Sequence, residues 1–222
     1  MSDQLLMTIA ILGGTGKEGK GLAYRWARAG YKVVIGSRTP EKAEAAAKEL
    51  TEMLGDASIE GLDNLSAAKQ ADIVVLTVPY TAHRDTLLTV KDALQGKILV
   101  DVTVPLVPPK VSKVQMPAAG SAAQESVEIL GEGVQVVDAF QNISYEHLMA
   151  EGETPCDVLV TGTSKAAREE VLKLVEAAGL TGWDAGPIEN SVVVEGLTSV
   201  LIYMNKQYGS THAGIKITGL YK

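Results

Sequence analysis

One stretch of this chain constrains the fold more than any other. The β-rich run Met7–Leu12 stops at Gly13-Gly14, and Gly14-Thr15-Gly16-Lys17-Glu18-Gly19 then matches G-x-G-x-x-G and opens a helical segment, Lys17–Ala29. Leu22, Trp26 and Ala29 share one helical face, and Gly30 ends the segment before a second apolar run, Tyr31–Ile35. A glycine fingerprint carries meaning only between a strand and a helix, and here it sits between them. The glycines permit a tight turn and a close backbone approach to a pyrophosphate, whose charge the free N–H groups of the helix start stabilise.

The next position narrows the ligand. Coenzymes with a free ribose 2′-hydroxyl are met by Asp or Glu at the end of the second strand, but Ile35 is followed by Gly36-Ser37-Arg38-Thr39. A hydroxyl and a guanidinium suit a 2′-phosphate, with Lys42 one turn further on adding charge. NADP is therefore expected over NAD.

Strand and helix signals keep alternating beyond this unit. Thr39-Pro40 supplies an N-cap and a first-turn proline for a helix to about Leu54, and a weak strand at Ser58–Gly61 precedes a short helix near Asn64–Lys69. Asp72–Val78 reads as a strand buried on both faces. Helices at Thr81–Leu94, Ser121–Leu130, Lys165–Ala178 and Asn190–Tyr208 alternate with strands at Lys97–Val102, Val134–Ala139, Val158–Val160 and Leu180–Asp184. The expected class is α/β, a doubly wound parallel Rossmann sheet with a small C-terminal α/β extension ending in an apolar helix. The domain division expected is 1–142 for the NADP-binding part and 143–222 for a smaller part completing the acceptor site. Val192–Met204 is apolar on almost every side, which predicts burial against another domain or subunit.

Strand ends of such sheets line the ligand crevice, which places Thr77, Val78 and Pro79 beside the nicotinamide half. The proline-rich segment Thr103–Ala119 exceeds an ordinary α/β connection and is expected to cover a site. His83 is as readily a surface residue at a helix start as a coenzyme contact.

Composition removes other classes. Among 222 residues 46% are hydrophobic and 21% charged, enough for a large core. A net charge of −7 without a basic stripe argues against nucleic acid as partner. The start Met1-Ser2-Asp3-Gln4 lacks a basic leader, and no apolar run reaches the roughly 18 residues of a membrane span, so a cytoplasmic protein is expected. Cys156 is alone, which excludes an internal disulfide, and no cluster has metal-ligand spacing. The pair Glu169-Glu170 reads as a solvated helix face.

The segment GGTGKEGKGLAYRWARAGYKVVIGSRTPEKAEAAAKE resembles the opening of the F420-dependent NADP reductases. The resemblance continues through DIVVLTVPY, VTVPL, VVDAFQNIS, WDAGPIENSVVVEGLT and the tail HAGIKITGL. It implies hydride transfer between NADP(H) and the deazaflavin coenzyme F420. It further implies that Gly14, Gly16, Gly19 and Thr15 to Glu18 hold the pyrophosphate and that Ser37, Arg38 and Lys42 hold the 2′-phosphate. Thr77, Val78, Pro79 and Val104 would border the nicotinamide, with Tyr145 on the same coenzyme side. Ile143 would pack where the two rings meet, Gln141 and Asn142 would position the acceptor, and Ala213-Gly214 would bond the deazaflavin edge. The family is dimeric, in keeping with the apolar final helix. Two positions depart from its pattern: Gln141 stands where the family has histidine, and Val192 where it has a cation.

Because hydride passes directly between stacked rings, positioning dominates and no side chain is certain to be catalytic. Two other readings stay open. An NADPH-dependent reductase of a flavin, carbonyl or imine would need a proton donor near the nicotinamide when reducing a carbonyl, with Tyr145, His147 and His83 as candidates. A non-catalytic NADP-binding sensor would bind the nucleotide without turnover.

Overall fold

The computed structural model describes residues 7–55, 57–150, 152 and 154–220; the expected absence of a leader at Met1–Gln4 lies outside them. One eight-stranded sheet organises the chain in the order β3-β2-β1-β4-β5-β6-β7-β8. Its strands are β1 (Thr8–Leu12), β2 (Lys32–Ser37), β3 (Ile59–Asp63), β4 (Ile73–Leu76), β5 (Ile98–Asp101), β6 (Gln135–Asp138), β7 (Asp157–Gly162) and β8 (Thr181–Pro187). All neighbours are parallel except β6 and β7, which pair antiparallel through Val137 with Gly162 and Asp138 with Thr161. The segment after residue 142 thus adds β7 and β8 to the same sheet.

Alternating side chains explain why the central strands read as unbroken apolar runs. On β1, Ile9 and Ile11 enter one core while Ala10 and Leu12 enter the other. The helices are α1 (Lys17–Arg28), α2 (Pro40–Leu54), α3 (Asn64–Gln70), α4 (Tyr80–Leu94), α5 (Ala122–Leu130), α6 (Tyr145–Met149), α7 (Lys165–Ala177) and α8 (Ser191–Tyr208). Leu22 and Trp26 of α1, Leu50 of α2 and Leu174 of α7 cover the first face. Ala67 of α3, Leu87 and Val90 of α4 and Ile129 of α5 cover the second. At the central strands β1, β4 and β5 both faces are thus covered, the condition under which parallel strands are stable.

Helix starts follow local chemistry. Asp63, Ser121 and Ser164 accept from Ser66 N, Gln124 N and Ala167 N at 2.9, 3.0 and 3.2 Å. Thr39 departs from expectation: it occupies the N-cap of α2 but its hydroxyl makes no capping bond. Its N–H instead donates to Ser37 Oγ at 3.1 Å, and Thr39 lines the main cleft.

Two further differences matter for the site. The five-residue helix α6 has too little length to show a period, and the sequence reading passes over it. Helix α8 is not buried all round within the chain: Ser191, Val194, Glu195, Ser199 and Leu201 turn inward, while Val193 and Tyr203 are 63% and 56% exposed. The inward face includes a fully buried glutamate because Glu195 caps another helix: its carboxylate accepts from Ala122 N at 2.7 Å and Ala123 N at 3.0 Å at the start of α5.

Candidate active site

The strand order reverses between β1 and β4, and a cleft of about 640 Å³ opens over the carboxyl ends of the strands there. Thr15, Gly16, Lys17 and Glu18 line its first wall. Gly14 and Gly19 lie beneath this wall as a packing device: a Cβ on Gly19 would stand 2.6 Å from Gly14 Cα and 2.8 Å from Thr77 Oγ1. Only two glycines let the start of α1 come this close to the β4 end, which is what brings its N-terminus up to the cleft.

Ser37, Arg38, Thr39 and Lys42 form the second wall, at the end of β2 and the first turn of α2. Asn64, which the sequence reading passes over, lines the cleft between the two walls. Its Oδ1 accepts from Gly13 N at 3.3 Å, and a Cβ on Gly36 would lie 2.8 Å from the same oxygen. One amide at the start of α3 therefore holds the turn after β1 and packs against the end of β2, where only a glycine leaves it room. No local pattern marks it, since its partner is 51 positions away.

Thr77, Val78 and Pro79 line the far end of the cleft, where Thr77 Oγ1 donates to Leu12 O at 3.0 Å. Val104, Leu106, Pro108 and Val111 of the proline-rich loop also line it. The cations that a 2′-phosphate needs and the glycine-framed anion cradle thus open into one space. These residues fit an NADP molecule.

Glu18 gives this wall an unusual electrostatic property. One carboxyl oxygen is buried without a partner, and burial pushes its pKa from 4.5 up to about 8. A carboxyl in the cleft wall is thereby held neutral near pH 7.

The acceptor-side residues occupy a different environment. Gln141, Asn142, Ile143, Ala213 and Gly214 are not among the residues lining the cleft, and neither is Tyr145, which was expected on the coenzyme side. Gln141 Nε2 donates to Asp101 O at 2.7 Å and to Asp138 Oδ1, while Asn142 Nδ2 donates to Val194 O at 2.9 Å and Thr198 Oγ1 at 3.2 Å. Both side-chain NH2 groups are consumed within the protein, while their oxygens are buried without partners. Ile143 is 7% exposed and packs into the first core beside Phe140. Phe140 holds φ at +76°, rare for a bulky residue, and its ring meets Trp26 edge-on at 5.7 Å.

Beneath this loop lie three buried carboxylates. Asp101 accepts from Ser126 Oγ at 2.6 Å and faces His83 Nε2 at 2.8 Å. Burial pushes Asp101 up, but His83 and the hydrogen bonds from Ser126 and Thr103 outweigh it and hold its pKa below the ordinary value, whereas burial raises Asp138 well above its own. Glu195 is pushed up to about 8 by burial, against the pull of the two α5 N–H groups.

His83 is thus neither a surface residue nor a cleft residue; at 1% exposure it is the buried partner of Asp101. Tyr145 OH accepts from Lys17 Nζ at 2.9 Å, and His147 Nε2 lies 3.2 Å from His212 O. None of the three proton-donor candidates lines the cleft. Cys156 is 3% exposed and packs against Gly214, where a Cβ would come within 2.6 Å of its own. Among the described residues no group of three His, Cys, Asp or Glu could hold a metal, and no helix is long and apolar enough to cross a membrane.

Comparison with known proteins agrees with this geometry. Residues 8–105 match the family described as NADP oxidoreductase coenzyme F420-dependent. The F420-dependent NADP reductase of Methanocaldococcus jannaschii is 41% identical over 223 residues, covering 96% of this chain and 99% of that protein. That of Methanothermobacter thermautotrophicus is 40% identical over 224 residues, covering 97% of each. A solved structure of a candidate F420-dependent NADP reductase from Arthrobacter sp. FB24 superposes with a TM-score of 0.80 at 26% identity, covering 96% of this chain and 99% of that one. With a glycine-framed cleft, cations at the second strand end and this identity over nearly the whole length, the chain belongs to the F420-dependent NADP reductases.

Proposed function

We propose that this protein transfers a hydride between NADP(H) and the deazaflavin coenzyme F420. The observation that carries the reading is the single cleft in which the anion cradle of α1 meets Ser37, Arg38 and Lys42, in a chain 41% identical to a named F420-dependent NADP reductase. Thr15 to Glu18 bind the pyrophosphate, Arg38 and Lys42 the 2′-phosphate, and Thr77, Val78, Pro79 and Val104 orient the nicotinamide. NADPH supplies the hydride, and the protein's part is to align donor and acceptor, exclude water with the proline-rich loop and hold the rings at about 3–3.5 Å.

The acceptor rests on the loop 140–143 and the tail at Ala213-Gly214. Gln141 and Asn142 act there by fixing backbone: Thr198 Oγ1 donates to Gln141 O at 2.8 Å, and the Asn142 amide ties the loop to α8. The protein is further proposed to be cytoplasmic and homodimeric. Val192, Val193, Val200, Tyr203 and Met204 leave an exposed apolar band on α8, which a second copy would cover.

Purified protein mixed with NADPH and oxidised deazaflavin should bleach the deazaflavin's visible absorbance, with FMN and FAD inert. Bleaching of a flavin instead moves the function to the flavin reductases. NADPH binding without turnover on any acceptor supports the sensor reading.

A further inference from the structure

Helix α6 touches both substrate sides. Its C-terminus is fastened to α1: Arg25 Nε and one terminal nitrogen donate to Leu148 O and His147 O at 2.7 and 2.6 Å, and the latter nitrogen also reaches Ala150 O at 2.9 Å. Its N-terminus meets the glycine-rich turn, where Lys17 Nζ donates to Tyr145 OH and lies 4.5 Å from the ring centroid. Lys17 also lines the coenzyme cleft, so one flexible ammonium serves both neighbours.

The next residue faces the other way. Glu146 Oε2 accepts from Thr211 Oγ1 at 2.9 Å and lies 3.7 Å from His212 Nδ1, while Glu146 Oε1 is 3.4 Å from Tyr145 OH. Thr211 and His212 begin the tail, whose following residues are pinned independently. Ala213 N donates to Asn205 Oδ1 at 3.0 Å, Asp157 N to Ile215 O at 2.8 Å and Ile217 N to Asp157 Oδ2 at 2.9 Å.

We infer that Glu146 is a positioning residue that transmits occupation of the coenzyme turn to the C-terminal tail, with Lys17 as the shared group. The inference rests on the reading of this turn as the coenzyme cradle. A phosphate pair competes better than a neutral phenol for an ammonium. When Lys17 turns to the phosphates, Tyr145 OH loses its cationic donor and Glu146 loses a nearby positive charge. The charge of the carboxylate is then left to Thr211 and His212 at Oε2, and the tail is held more firmly. By linkage, a seated tail favours the coenzyme to the same degree. Exposed pairs of this kind are individually weak, so the coupling is modest, about 3- to 10-fold.

Amide hydrogen exchange of residues 210–217 tests this on the full chain, with and without saturating NADP+, alongside direct measurement of NADP+ affinity. In the wild type NADP+ should slow exchange of this segment about 3- to 10-fold. In E146Q that slowing should vanish while NADP+ still binds, with an affinity lowered by no more than the lost coupling of about 3- to 10-fold, and the KM for F420 should rise several-fold with kcat little changed; E146D should restore part of both. Thermal melting of each variant separates unfolding from uncoupling. Slowing that persists in E146Q, or NADP+ binding to the wild type that leaves the tail's exchange unchanged, overturns the inference alone. Absence of NADP+ binding to the wild type overturns the coenzyme reading and the inference together.

Discussion

The two substrate sides of this molecule are built differently. The coenzyme side consists of turns that follow their strands directly, and its cations stay in the cleft wall with solvent access. The acceptor side consists of amides and carboxylates sunk into the protein, with Gln141 and Asn142 spending every N–H on backbone or buried oxygens. Recognition is local in the first region and depends on long-range packing in the second. Under the proposed function, a side chain on the coenzyme side would act on the ligand, whereas one on the acceptor side would act through the backbone it holds.

The sharpest break of that contrast comes from Gly19→Val. The added Cβ would collide with Gly14 Cα, a backbone atom that cannot yield cheaply, so α1 must withdraw from the cleft. NADP+ affinity should fall by more than about 100-fold in a fluorescence titration, given what a lost cradle of charge-assisted bonds is worth. Retained affinity would mean that the turn does not carry the phosphates.

Arg38→Ala is the gentler counterpart. Loss of one charged bond to a 2′-phosphate, about 1.5–3 kcal/mol, should raise the KM for NADPH roughly 10- to 100-fold and leave that for NADH nearly unchanged. An equal effect on both coenzymes would remove Arg38 from the 2′-phosphate.

On the acceptor side the same logic predicts a change in stability. Glu195→Ala strips the α5 start of its two acceptors and unties α8, at a cost of about 2 kcal/mol, or roughly 4–8 °C in Tm. Coenzyme affinity should stay within about two-fold, because α5 lies away from the cradle. A variant as stable as wild type would show that Glu195 does not hold α5 and α8 together.

The smallest effect concerns Glu18, and its sign follows from the raised pKa. Between 4.5 and about 8 the folded chain keeps a proton that the unfolded chain has released, so this group makes stability fall as pH rises through that window. Glu18→Gln should therefore gain on the wild type in urea midpoint from pH 5 to pH 8. Glu195 contributes with the same sign, so the variant flattens the profile only in part. A constant difference across the range would show that Glu18 titrates normally.

Sequence patterns reached one region further than the other for a physical reason. The glycine fingerprint, Arg38 and the proline-rich loop are local segments whose geometry is set by their neighbours, and Thr15 to Glu18, Arg38 and Val104 all line the cleft. Asn64, Glu195 and α6 went unread because each acts on partners dozens of positions away. In the apolar stretch Val192–Met204 periodicity reports the average face and does not single out Glu195, the buried glutamate that reaches a helix start.

The sequence by itself determined the alternation of strands and helices, the anion-binding turn and the choice of a 2′-phosphate, because local sterics and charge suffice for these. The tertiary structure decided that β7 runs antiparallel, that His83 serves Asp101, that the acceptor amides have no donor to spare, and that Lys17 stands between the cleft and α6. Those outcomes depend on which groups meet when water is excluded, and desolvation leaves each buried donor and acceptor only the partners the fold supplies.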